Sequence, residues 1–113
     1  MAPKLINAIT RFLALCPYVV TLHNFPTKTR IEQQKGYILD LYYNETLGKY
    51  AYTLVSSNQR VVAWDNARHH PSVTTFPHHF HAEDGTVQPS FLIGNPEQDI
   101  LQVVKTINAI LAR

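Results

Sequence analysis

Histidines crowd one short stretch of this chain. Five of its six histidines lie within the thirteen residues from His69 to His81. Imidazole titrates near neutral pH and is also the commonest metal ligand among side chains. Such a density therefore indicates either proton-transfer chemistry or metal coordination. Asp65 and Arg68 precede the stretch and add a carboxylate and a guanidinium to it.

Two prolines divide this stretch into two arms. Pro71 and Pro77 each disfavour the helical conformation in the residue before them, which makes both arms extended. In an extended second arm, His79 and His81 share one face and His78 points to the other. The sequence therefore predicts that His79 and His81 act together.

Metal-independent RNA cleavage is one chemistry that these residues could perform. Activation of a ribose 2′-hydroxyl needs a base, an acid for the leaving oxygen and a cation for the phosphate. Two histidines can supply the proton transfers, and an arginine fork can bind two phosphate oxygens. The candidate catalytic residues are Asp65, which would orient an imidazole, Arg68 for the phosphate, and His69, His70, His79 and His81.

A metal site is the alternative. An H-x-H pair on a strand can bind one ion through both imidazoles, so His79 and His81 are the candidate ligands, and Asp65 could complete a site for zinc, manganese or iron. No cysteine lies near, and the chain has no H-E-x-x-H spacing. We therefore expect no cofactor, with a divalent transition metal such as zinc as the alternative.

The elements that must position these residues follow from apolar periodicity. Helical spacing covers residues 3–16, and a second helix begins at Pro96 behind the cap residue Asn95 and runs to the C-terminus. Strands are predicted over residues 18–25, 37–43, 49–55, 60–65 and 86–92, while residues 27–34 fit either an edge strand or a loop. Short connections between strands favour an antiparallel meander. The sequence thus predicts an α+β fold: one domain over residues 1–113, with about four to six strands, an N-terminal and a C-terminal helix, and its site segment at residues 65–81.

Charge and cysteine content indicate which partners and which cellular compartment suit the protein. The net charge is only +2, but every charged residue before Glu32 is basic, which suits RNA or an acidic partner. The single cysteine, Cys16, excludes an intramolecular disulfide and is typical of a reducing compartment. The apolar N-terminal segment is interrupted by polar residues and does not fit a membrane span. We expect a cytoplasmic protein without a membrane partner.

The motifs of the site segment resemble those of a known family. The strand end Trp64-Asp65-Asn66-Ala67, the following His-His-Pro and the later Pro-His-His-Phe-His resemble the TumE-like toxins of prokaryotic toxin–antitoxin pairs. Many members carry an aromatic-Asp-Asn-Ala strand end, a His-His-Pro and a Pro-His-His-Lys-His. The chain departs from this pattern at Arg68, where proline is frequent, and at Phe80, where lysine is frequent.

The resemblance implies a toxin that pairs with a small helix-turn-helix antitoxin and acts on RNA as an endoribonuclease. Self-association into a homodimer stays open, as does the role of the helix before residue 18, which lies outside the resemblance. Two other hypotheses also stay open. The chain could be a non-catalytic metal-binding protein that uses the His79-x-His81 pair, or a partner-binding domain in which the histidines have no functional role.

Overall fold

A seven-stranded antiparallel sheet forms the centre of the molecule, in a computed structural model that describes residues 2–113. The strands pair in chain order: β1 (Val19–Asn24), β2 (Thr29–Gln33), β3 (Tyr37–Asn44), β4 (Lys49–Ser56), β5 (Gln59–Asp65), β6 (His79–His81) and β7 (Val87–Pro89). Two helices, α1 (Pro3–Leu15) and α2 (Pro96–Leu111), flank the sheet in sequence, and a 3₁₀ turn (Gln34–Gly36) links β2 to β3. The predicted α+β fold and its antiparallel meander are confirmed.

The sheet has more strands than the sequence pattern indicated. The ambiguous polar segment forms β2, which pairs with strands on both sides. The strand predicted over residues 86–92 is present as the shorter β7, whereas the three residues of β6 are too few for alternation to reveal. The sheet therefore has seven strands rather than four to six.

One face of the sheet and both helices enclose the hydrophobic core. Apolar side chains alternate along the strands, and their register lines them up across the sheet. The buried apolar strand residues of this face are Ile31, Leu39, Leu41, Tyr50, Tyr52, Leu54, Val62 and Trp64. Phe12 of α1 and Val103 and Ile107 of α2 are fully buried and complete the same core. The side chains that alternate with these core residues, including Asp65, His79 and His81, are thereby left for the opposite face.

Helix α2 begins where the sequence predicts. Pro96 occupies its first turn, and the side chain of Asn95 accepts a hydrogen bond from the backbone N–H of Glu97 at 3.1 Å. This cap satisfies one of the donors that a helix start leaves unpaired. No helix within residues 2–113 is long and apolar enough to cross a membrane.

Candidate histidine–carboxylate site

The register of the last strands brings the site together. Asp65, at the end of β5, lies directly opposite His79 on β6, while His81 pairs with Ala63 two residues along. Because side chains two residues apart share a face, Asp65, His79 and His81 all project from the face that the helices leave open. The prediction that His79 and His81 share a face is confirmed.

The three side chains converge on one small volume. Nε2 of His79 lies 3.0 Å from Oδ1 of Asp65, and Nε2 of His81 lies 3.2 Å from Oδ2 of the same carboxylate. The two imidazole Nε2 atoms are 3.1 Å apart. His79 is only 2% exposed, whereas the carboxylate of Asp65 is 20% exposed and links the cluster to solvent. We call Asp65, His79 and His81 the cluster.

Backbone groups fix the orientation of the cluster. Nδ1 of His79 lies 3.1 Å from the carbonyl oxygen of Pro77, which can only accept, so Nδ1 carries a proton and donates. The backbone N–H of Ala67 donates to Oδ1 of Asp65 at 2.9 Å. The reactive side of His79 is therefore Nε2, and it points at the carboxylate.

The first arm, which the sequence predicts to be extended, forms turns instead, and these bring His70 back to the cluster. The ring centroid of His70 lies 4.7 Å from that of His79 and 5.8 Å from that of His81, edge-on to both. One nitrogen from each of these three imidazoles lies within 4.8 Å of the others. Of the predicted site residues, the fold thus brings Asp65, His70, His79 and His81 together.

His78 points to the other side of the sheet. Its Nδ1 lies 2.9 Å from the hydroxyl of Tyr50, and the two rings stack at 5.8 Å. Burial, and next the charge of Asp99, raise the pKa of Tyr50, so its hydroxyl stays protonated in its hydrogen bond with His78. His78 therefore positions the loop against the core and lies apart from the cluster.

Arg68 and His69 lie outside the cluster, on the wall of a groove. Both residues are exposed, and the groove encloses about 790 Å³ and includes Asp65 in its lining. The guanidinium of Arg68 lies over the ring of Phe76, 4.7 Å from its centroid. Arg68 and His69, which the sequence predicts to act with the cluster, thus lie on the wall of the groove that Asp65 also lines.

Sheet register also explains the floor of this groove. Tyr42, Ala51, Asp65 and His79 lie side by side on consecutive strands. The small side chain of Ala51 leaves a gap between Tyr42 and Asp65, which are two strands and therefore about 10 Å apart. Sequence reasoning missed Tyr42, although its alternation with Leu41 on β3 places it on the open face.

Asn66 joins the site to the turn between β3 and β4. Its side-chain oxygen accepts from the backbone N–H of Tyr50 at 3.1 Å, and its amide donates to the carbonyl of Gly48 at 2.7 Å. These contacts hold the end of β5 against that turn and so fix the wall of the groove. These two hydrogen bonds give Asn66 a structural role in the motif, which the sequence alone did not reveal.

Two aromatic residues of the motif belong to the core. Trp64 is 3% exposed, and its ring packs against Phe80 with centroids 5.2 Å apart. Since both side chains lie on the helix face, neither can stack on a base in the groove. Tyr42, on the open face of the sheet, lines the groove instead.

The cluster combines an uncharged imidazole with a carboxylate. Burial, followed by the charge of Arg60, lowers the pKa of His81 despite the opposing effect of Asp65. His81 is therefore neutral at physiological pH and offers a lone pair or a single N–H at Nε2. Such a group can accept a proton or bind a metal ion.

Comparison with known proteins assigns the chain to a family. It matches the family model described as toxin TumE over residues 16–111, which includes every strand, α2 and the whole site. No curated protein and no solved structure matches it. The match does not include α1. This helix contributes to the hydrophobic core, where its residues Leu5, Ala8, Ile9 and Phe12 are buried. The chain belongs to the TumE toxin family.

Proposed function

We propose that this toxin is an endoribonuclease whose reactive centre is the cluster of Asp65, His79 and His81. The observation that carries the proposal is the position of Asp65, which belongs both to the cluster and to the lining of the open groove. A substrate lying in the groove would contact Asp65, whose carboxylate lies against the buried His79 and the partly buried His81. The next two motif residues support this position of Asp65: Asn66 bonds to the β3–β4 turn, and the N–H of Ala67 donates to the carboxylate.

The groove has the chemistry that single-stranded RNA needs. Lys49 and Arg68 are exposed along it and bring two positive charges, and phosphate contacts of this kind dominate nucleic-acid affinity. Tyr42 offers a ring on which an unpaired base can stack. Tyr42 lies two strands away from Asp65, a separation of about 10 Å. This leaves room for a nucleotide between the two side chains.

The geometry supports a role for each of these residues. Arg68 would bind the scissile phosphate, and His69, exposed on the same wall, would move a proton at the 2′-hydroxyl or at the leaving oxygen. In the metal-independent mechanism expected from the sequence, His79 and His81 perform the proton transfers and Asp65 orients them. That mechanism stays a prediction, and so does the contribution of His70.

Membership of a toxin family implies an antitoxin partner. We propose that this antitoxin is a small helix-turn-helix protein, encoded next to the toxin, and that the toxin works in the cytoplasm. A short helix-turn-helix reading frame that overlaps or adjoins this gene would support the pairing. Light scattering on the purified toxin will show whether it is a homodimer.

Growth inhibition and RNA cleavage together test the proposed function. Wild type, His79→Ala and His81→Ala are expressed in cells that lack an antitoxin, and the purified proteins are incubated with labelled RNA. His23→Ala is the matched control, because His23 is exposed on β1 and lies 3.5 Å from Glu32, on a strand remote from the cluster in the sheet order.

We expect wild type and His23→Ala to inhibit growth and cleave RNA. Loss of a positioned acid–base group should reduce cleavage by about 10²–10⁴-fold in the two cluster variants. Equal growth inhibition and equal cleavage by all four proteins would refute the role of the cluster.

A further inference from the structure

The spacing of the ligand atoms in the cluster matches the edges of a metal coordination shell. An ion with ligand bonds of about 2.0–2.1 Å separates neighbouring ligand atoms by about 2.9 Å in an octahedron and about 3.3 Å in a tetrahedron. Nε2 of His79 lies 3.0 Å from Oδ1 of Asp65, Nε2 of His81 lies 3.2 Å from Oδ2, and the two Nε2 atoms are 3.1 Å apart. One ion between the two imidazoles would therefore face both oxygens of the carboxylate.

Hydrogen bonding alone explains this convergence less well. Because Nδ1 of His79 donates to Pro77, a neutral ring would present only a lone pair at Nε2, directly against the acceptor Oδ1 of Asp65. A proton lies between two atoms, whereas here each Nε2 atom lies within 3.2 Å of the other Nε2 atom and of one oxygen of the same carboxylate. A single cation at their common centre stabilises all three contacts at once.

The surrounding contacts are those that orient metal ligands. A metal-bound histidine nearly always donates its other N–H to a carbonyl or carboxylate, and the ligating carboxylate is itself hydrogen-bonded. The carbonyl of Pro77 fills the first role for His79, and the N–H of Ala67 fills the second for Asp65. These contacts hold both ligands in place before any ion arrives.

We propose that Asp65, His79 and His81 bind one divalent transition-metal ion of the zinc class, with His70 beside the fourth coordination position. Two imidazoles and one carboxylate suit zinc, manganese or iron(II) rather than calcium or magnesium, which prefer oxygen ligands. Three protein ligands with a position left for water are typical of catalytic rather than structural zinc sites. The partly exposed carboxylate of Asp65 turns that position towards the groove.

The ion would change the roles within the proposed function, on which this catalytic consequence rests. Its bonds would use the lone pairs of His79 and His81, so these imidazoles could no longer act as base and acid. The ion would then polarise the phosphate or activate a water. Proton transfer would pass to groups on the groove wall, among which His69 is exposed.

Metal binding can be measured without any activity. Tag-free protein is stripped with a chelator, returned to metal-free buffer and titrated with Zn²⁺ against a chromophoric chelator, and Co²⁺ absorption reports the coordination number. The variants are Asp65→Asn and His81→Gln, with His23→Ala as the control that removes a histidine outside the cluster. Asp65→Asn keeps an acceptor for the N–H of Ala67, and circular dichroism and thermal melting of the apo proteins check that both variants fold.

We expect one tightly bound ion per wild-type chain and a rise in melting temperature when it binds. Affinity should fall by at least about tenfold in Asp65→Asn and His81→Gln and stay unchanged in His23→Ala. A folded wild-type protein that binds no stoichiometric ion, or equal affinity in Asp65→Asn and wild type, would overturn the proposal. RNA cleavage that persists in chelator with no bound metal would overturn the catalytic role of the ion and leave the endoribonuclease standing, whereas specific metal binding without RNA cleavage would support the metal site and refute the endoribonuclease.

Discussion

Replacement of Arg68 by alanine tests how the groove binds RNA. The guanidinium is exposed on the groove wall, so its contact with a phosphate would be partly screened by water. A charge-assisted hydrogen bond contributes about 1.5–3 kcal/mol, and with this screening we expect a loss of about 1–2 kcal/mol, or about five- to thirtyfold in affinity. RNA binding to Arg68→Ala, measured by fluorescence anisotropy over a series of salt concentrations, should also show a salt dependence lower by about 0.7.

Two controls separate the phosphate contact from general charge. Lys105→Ala removes one positive charge from an exposed position on α2, beside the helix face of the sheet, and should leave RNA affinity nearly unchanged. Arg68→Lys keeps the charge but loses the planar fork, so its affinity should fall between those of wild type and Arg68→Ala. If Lys105→Ala weakens binding as much as Arg68→Ala, with the same change in salt dependence, RNA does not bind in this groove.

Three further changes test the scaffold. Phe12→Ala empties a fully buried site in the core and should lower the free energy of unfolding by about 3–5 kcal/mol in urea denaturation. Asn66→Ala removes both hydrogen bonds to the β3–β4 turn, including that to Gly48, and should cost about 1–3 kcal/mol and reduce RNA cleavage. Partial burial opposes ionisation of Asp40, but the hydrogen bonds and charge of Arg30 win and lower the pKa of that carboxyl. Its contribution to stability is therefore present above its unfolded pKa of about 3.9 and is lost as the pH falls further, so the melting-temperature difference between wild type and Asp40→Asn should shrink below pH of about 4.

Periodic elements were accessible from the sequence because burial repeats with the geometry of the backbone. The helices at both ends and the strands β3, β4 and β5 carry several alternating or helical repeats each, and their predicted bounds lie within two residues of the observed ones. Strand β6 offers three residues, of which the apolar one, Phe80, faces the core between two histidines. Only its pairing with β5 identifies it as a strand.

The cluster was accessible in part. Proline positions and strand alternation place His79 and His81 on one face, and the preceding strand end supplies Asp65. Which residues of the first arm return to the cluster depends on the path of the loop between β5 and β6. The sequence could not separate His69, which is exposed on the groove wall, from His70, which packs against the cluster.

The groove depended on contacts between distant strands. The gap above Ala51 exists because register places this small residue between Tyr42 and Asp65. Register was not available from the sequence, since it arises from turn geometry and from the packing of the opposite face. For the same reason, the sequence alone does not show that Trp64 packs in the core while Tyr42 lines the groove.

The central claim is that the carboxylate shared by the cluster and the groove serves RNA cleavage. Its most direct test is the single-turnover rate of RNA cleavage by purified Asp65→Asn, compared with wild type and His23→Ala at matched folding. We predict that Asp65→Asn loses at least about 100-fold in rate, while His23→Ala keeps the wild-type rate. A folded Asp65→Asn protein that cleaves RNA at the wild-type rate would contradict the claim.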